Sequence, residues 1–206
     1  MNIVFLGDSI TDAGKSNNAG AINAIGQSYP MLICAKLGAA EPMQHTFVNS
    51  GISGNRCVDV LTRIEADCWN YKPDVVSVLL GVNDASYELT YQTGTGAKRF
   101  ERMMRTMLQD TMEVCPNAKL ILMEPYMLPG RENYVDFLRE VRVFAGSVRK
   151  LAEEFSAAFV PLQEIFDAAC ERAPASYWAW DGVHATPAAH QLIADAWIKE
   201  FETIRK

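Results

Sequence analysis

Asn2-Ile3-Val4-Phe5-Leu6-Gly7-Asp8-Ser9-Ile10-Thr11-Asp12 holds four consecutive apolar residues cut off by a glycine and an acidic residue. A run this short and this apolar reads as a strand buried on both faces, and the polar turn after it reads as the entry to a helix. Working outward, residues 47–48, 75–80, 120–123 and 158–160 repeat the short apolar signature. Longer amphipathic stretches at 29–37, 58–68, 100–114 and 133–155 separate them and predict helices, with a further one at 162–173. Strands alternating with helices predict an α/β fold. The expected form is a five-stranded parallel sheet between two helical layers, a three-layer α/β/α arrangement.

The final helix carries the sharpest boundary. Thr186 is placed to cap it, Pro187 suits its first position, and residues 190, 193, 197, 201 and 204 follow one face, four of them large and apolar. No repeat, low-complexity tract or Pro/Ser-rich linker divides the 206 residues, which at about 150 residues per domain predict one domain spanning 1–206. Stretches 14–26, 85–99 and 126–132 are expected to be loops at the carboxyl edge of the sheet, where open α/β sheets hold ligands. Tyr87, Tyr91 and Tyr126 are candidates to line a cleft there, or the loops simply connect elements over the surface.

Hydrophobic residues are 49% of the chain and charged residues 21%, the composition of a globular protein rather than a disordered or fibrous one. Nineteen basic against 25 acidic residues give a net charge of −6. That is the wrong sign for a nucleic-acid or anionic-membrane footprint. No apolar run reaches the roughly 18 to 20 residues of a membrane span, and the first residues lack the basic and apolar regions of a signal peptide. Five cysteines form no Cys-x-x-Cys pair and read as reduced thiols. A cytoplasmic protein is the expectation, with no nucleic-acid or membrane partner; a homo-oligomer is left open.

Chemistry gathers at strand ends. Ser9 follows the first strand on a turn, so its hydroxyl and N–H point outward, although a serine there also serves as a helix cap. Asp181-Gly182-Val183-His184 precedes the final helix. An aspartate three residues before a histidine can hold the imidazole Nδ1–H and leave Nε2 free to take a serine proton, although this spacing also occurs in metal sites. Asn49-Ser50-Gly51-Ile52-Ser53-Gly54-Asn55 follows the second strand and Gly81-Val82-Asn83-Asp84 the third. Two backbone N–H groups from these strand-end segments with one asparagine side chain would form a three-donor oxyanion hole.

Gly7-Asp8-Ser9, Gly54, the Gly81-to-Asp84 block and the Asp181-to-His184 block resemble, in order, the four blocks of the GDSL/SGNH hydrolases. The resemblance implies a flavodoxin-like SGNH fold, Ser9 as nucleophile, Gly54 and Asn83 as oxyanion partners, and His184 as base oriented by Asp181. Gly7 to Asp12, Asn49 to Asn55 and Ala179-Trp180-Asp181-Gly182-Val183-His184 look like the family's intracellular acetyl-xylan esterase branch, which deacetylates xylo-oligosaccharides. That likeness implies Trp180 as an acyl-pocket wall or sugar platform, or else as an aromatic that steadies its turn. Trp180 and Asp8 complete the candidate substrate contacts.

The rivals fit less well. An α/β-hydrolase needs a glycine-x-serine-x-glycine elbow, which neither Ser9 nor Ser53 has. A metallophosphoesterase needs several His and carboxylate ligands, and the only histidines are His45, His184 and His190. His190 lies on the apolar stripe of the final helix and is expected to be packed and hydrogen-bonded. His45 receives no role. Asp8 and Asp84 are expected to orient backbone turns rather than move protons, and Asp12 to cap the helix after Ser9. The expected activity is a serine esterase acting without metal or cofactor on a small-molecule ester such as an acetylated sugar. A lysophospholipase or acyl-CoA thioesterase would use the same residues, and a carbohydrate-binding module is the non-enzymatic alternative.

Overall fold

The structure, a computed structural model, describes residues 1–16, 21, 23–92 and 96–205. Five strands, β1 (Asn2–Gly7), β2 (Thr46–Gly51), β3 (Val75–Leu79), β4 (Lys119–Met123) and β5 (Ala158–Val160), form one parallel sheet in the order β2-β1-β3-β4-β5. Every residue of β3, and all of β1 after Asn2, is buried, which is why these strands are apolar without alternation. β2 was legible only at positions 47 and 48, because Asn49 and Ser50 extend it with polar side chains. Those side chains are satisfied inside: Asn49 donates to the carbonyls of Thr11 (2.7 Å) and Ile25 (2.8 Å), and Ser50 to that of Asp67 (2.6 Å).

Helices cover both faces. α1 (Ser9–Asp12) is a single turn, and α2 (Tyr29–Ala40) packs against the last helix, α10 (Pro187–Ile204). Phe5 of β1 meets Tyr29 of α2 and Trp197 of α10, and the Trp197 indole N–H donates to Ser77 of β3 at 2.9 Å. The other layer is built from α3 (Cys57–Leu61), α4 (Ile64–Asp67), a 3₁₀ turn at Trp69–Tyr71, α5 (Val82–Tyr91), α6 (Ala97–Val114) and α7 (Tyr134–Glu154), joined through contacts such as Phe100 on Phe144. α8 (Leu162–Cys170) and α9 (Ala175–Trp178) lead to the turn before α10. Thr186 caps α10 by accepting from Ala189 N–H, Pro187 is its first residue, and His190, Ile193, Trp197 and Phe201 are buried while Ile204 is half-buried.

Three expectations need correction. The single helix expected at 58–68 is broken into α3 and α4. The Thr62 hydroxyl donates to the Asp59 carbonyl at 2.8 Å, and Arg63 leaves helical geometry to donate from Nε to Asn55 Oδ1 at 2.8 Å. The loop expected at 85–99 is mostly helix: α5 runs to Tyr91 and α6 begins at Ala97, with residues 93–95 outside the described residues. Asn83, Ser86 and Thr90 are weak helix formers, but Val82, Ala85 and Leu89 line one face of α5 against the core, and that burial decides. Tyr126, a candidate for the cleft, is fully buried, while Tyr87 and Tyr91 are exposed. Of stretch 14–26, residues 17–20 and 22 lie outside the described residues.

Candidate active site

The strand order reverses direction at β1, with β2 on one side and β3 on the other; Ser9, Gly54 and Asn83 follow the carboxyl ends of these three strands, and Asp181 and His184 lie on the turn before α10. Asp8 accepts the Ile10 N–H at 2.9 Å and thereby caps the turn that makes Ser9 the first residue of α1. Ser9 Oγ lies 3.0 Å from His184 Nε2 across 175 positions of sequence, and His184 Nδ1 lies 2.8 Å from Asp181 Oδ2. The structure therefore brings Ser9, His184 and Asp181 into one hydrogen-bonded line.

The Asp181–His184 turn is clamped from several sides. Gly182 has φ 83°, and a Cβ there would sit 2.2 Å from the Leu128 carbonyl, so only glycine fits. Leu128 N–H donates to the Gly182 carbonyl at 2.8 Å, and the Tyr126 hydroxyl donates to the Val183 carbonyl at 2.8 Å. Asp181 Oδ1 accepts the backbone N–H groups of Val183 (3.0 Å) and His184 (2.8 Å), while Oδ2 accepts from His184 Nδ1 and from Arg131 Nη2 at 2.7 Å. Burial raises the Asp181 carboxyl, but these four donors outweigh it and hold the group well below the usual carboxylate range. The ring of Trp180, 68% exposed, lies nearly parallel to that of His184 with centroids 6.0 Å apart.

The loop carrying Gly54 is tied on two sides. Asp12 Oδ2 accepts the N–H and hydroxyl of Ser53 at 2.9 and 2.8 Å, so Asp12 anchors this loop instead of capping α1. Asn83 Nδ2 donates to the Asn55 carbonyl at 3.0 Å, which occupies one of its two amide hydrogens. Asp84 is buried and accepts the Cys57 N–H, the turn-orienting part expected of it; burial pushes its carboxyl up to about 6. Gly54 is exposed with φ 81°, and a Cβ there would meet nothing within 4 Å.

Asp8 was expected both to orient its turn and to touch substrate. It orients the turn, but the substrate contact is corrected, because its side chain is fully buried behind Ser9. Burial pushes its carboxyl up to about 7, with the neighbouring Asp84 adding to the rise against the Ile10 N–H. His190 is packed against Tyr29 as expected, but its Nδ1 has no partner among the described residues, and burial lowers its pKa to about 4. His45 pairs with Glu41 at 2.8 Å, so the three histidines stand in three separate places. Sequence reasoning missed Arg131 and Arg63; an arginine in a loop or a predicted helix carries no local mark of the distant carboxylate or amide it will meet.

With this geometry in place, the chain matches the family described as GDSL-like Lipase/Acylhydrolase over residues 5–192 and belongs to it. It is a carboxylic ester hydrolase of the GDSL/SGNH type. It is similar to the acetylxylan esterase of Geobacillus stearothermophilus, 32% identical over 98% of this chain and 95% of that protein, whose crystal structure gives a TM-score of 0.87 over 97% and 93% of the two chains. A Parabacteroides merdae structure described as a GDSL-like lipase has a TM-score of 0.93 at 37% identity, covering 98% of this chain and 95% of that one. Thioesterase 1/protease 1/lysophospholipase L1 of Escherichia coli K12 is 27% identical over 96% of this chain and 85% of that protein. Among the described residues no helix is long and apolar enough to cross a membrane.

Proposed function

We propose that residues 1–206 act as one catalytic domain, a serine esterase that removes acetyl groups from carbohydrates such as xylo-oligosaccharides through an acyl-enzyme on Ser9. The observation that carries the mechanism is the line of 3.0 and 2.8 Å contacts joining Ser9, His184 and Asp181. His184 Nε2 takes the Ser9 proton as Oγ attacks the ester carbonyl. The tetrahedral oxyanion is met by the N–H groups of Ser9 and Gly54 and the free amide hydrogen of Asn83. The carbonyl re-forms as the sugar alkoxide leaves with the proton held by His184. Water then attacks the acyl-enzyme, gives a proton to His184, and releases acetate as that proton returns to Ser9. This scheme calls on no metal or cofactor.

Asn83→Ala is expected to lower kcat by roughly 10² to 10³, the loss for one oxyanion donor, with KM little changed. Steady-state kinetics on p-nitrophenyl acetate checks this, and an effect confined to KM would reduce Asn83 to a binding residue.

The acetylated-sugar reading is supported by the likeness to an acetylxylan esterase and by Trp180, an exposed indole lying over the base where a pyranose face can stack. Rates on p-nitrophenyl acetate, butyrate and octanoate, followed by acetylated xylo-oligosaccharides, test it. Acetate is expected to be fastest and Trp180→Ala to raise KM for the oligosaccharide more than for p-nitrophenyl acetate. A preference for octanoate would instead favour the lysophospholipase or thioesterase reading that the Escherichia coli relative supports. A serine-directed phosphonate should label Ser9, read by mass spectrometry; labelling at another residue would remove it as nucleophile. We also propose a cytoplasmic setting, which the free state of all five cysteines supports.

A further inference from the structure

We propose that Arg131 is a positioning residue of the relay, locking the Asp181 carboxylate in place while sharing its Oδ2 with the His184 imidazole. This rests on the reading of Ser9, His184 and Asp181 given above. Arg131 grips Asp181 twice: Nη2 donates to the side-chain Oδ2 at 2.7 Å and Nε to the main-chain carbonyl at 2.9 Å. One guanidinium thus spans the residue's backbone and its carboxylate, so the carboxylate cannot rotate without breaking a bond on one side. The grip is built into the fold. Gly130 lies so close to the turn that a Cβ on it would sit 2.6 Å from Gly182 N and 2.7 Å from the Asp181 carbonyl carbon, and the guanidinium stands over the Phe137 ring of α7, 5.8 Å from its centre.

Both oxygens of Asp181 are then saturated, Oδ1 by two backbone N–H groups and Oδ2 by His184 and Arg131. The shared Oδ2 couples the two side groups. With His184 neutral, the carboxylate charge is balanced by Arg131. When His184 is protonated, two cations share one oxygen. Removing the guanidinium would leave that oxygen to the imidazole alone. The other groups facing this pair are Ser9 from α1, the Trp180 ring on the same turn, and the buried Tyr126, which holds the Val183 carbonyl and feels the Asp181 charge.

The test uses Arg131→Gln and Arg131→Lys in the full chain, with kcat and KM for p-nitrophenyl acetate followed against pH and the melting temperature recorded for each. Arg131→Gln is expected to lower kcat by roughly tenfold to a hundredfold with KM held, as for the loss of a group that positions a reacting one. It should also move the acidic limb of kcat/KM to higher pH. Arg131→Lys keeps the charge without the two-point grip, so its acidic limb should stay at the wild-type position while kcat remains reduced. A glutamine variant with wild-type kcat and an unmoved limb, or a limb moved to lower pH, overturns the proposal. If the glutamine variant does not fold, the lysine variant decides alone: wild-type kcat or a displaced limb overturns the proposal, and a reduced kcat with the limb in place supports it. Ser9→Ala measured alongside separates the two levels. Activity surviving in Ser9→Ala would remove the whole relay, whereas an inactive Ser9→Ala beside a neutral Arg131→Gln would remove only the role of Arg131.

Discussion

Ser9→Ala is expected to cut kcat on p-nitrophenyl acetate by about four to six orders of magnitude while the melting temperature stays near that of the wild type. The loss is large because the hydroxyl is the atom that forms the bond, and no other side chain stands 3.0 Å from His184 Nε2 among the described contacts. The residual rate would come from oxyanion donors and binding alone. The fold should be indifferent, because the cap of α1 is Asp8, whose Oδ1 takes the Ile10 N–H, and the hydroxyl's one described bond is to His184. A variant with near wild-type kcat would take the nucleophile away from Ser9, whatever the fold of the protein.

The second large effect is expected from Asp181→Asn, a loss of about 10⁴ in kcat. The geometry sets its direction. Oδ1 sits under the N–H groups of Val183 and His184, so the amide oxygen of an asparagine must stay there and its NH₂ must take the place of Oδ2. That NH₂ then faces His184 Nδ1 and Arg131 Nη2, two sites that Oδ2 serves as an acceptor. Nδ1 can meet it only as an acceptor, which puts the imidazole proton on Nε2, where the Ser9 proton has to go. Arg131 loses its ionic partner at the same time, so a lower melting temperature should accompany the kinetic loss. Kinetics and thermal melting on one preparation read both. A fall of less than tenfold in kcat would mean that His184 does not depend on Asp181 for its tautomer.

The fold was legible where burial on both faces forces contiguous apolar residues. β1, β3, β4 and β5 were placed within a residue or so at each end, and α10 by its threonine cap, first-position proline and buried stripe. β2 and α5 were harder to read. In each, polar residues serve local contacts that a pattern cannot show, such as Asn49 holding the Thr11 and Ile25 carbonyls and Asn83 holding that of Asn55. The break between α3 and α4 belongs to the same class, since the partner that draws Arg63 out of the helix lies eight positions back, at Asn55.

Within the candidate site, the sequence alone was enough to nominate Ser9, Asp181 and His184 from short segments, a hydroxyl on a strand-end turn and a carboxylate three residues from an imidazole, while the four-block resemblance singled out Gly54 and Asn83 within theirs. Tertiary packing decided the rest. It buried Asp8 behind the nucleophile instead of opening it to substrate, turned Asp12 from a helix cap into the anchor of the Gly54 loop, and delivered Arg131 to Asp181 across 50 positions. The reason is range: turn and strand preferences act over a few residues, whereas the solvation and partner of a charged group depend on which distant segments close around it.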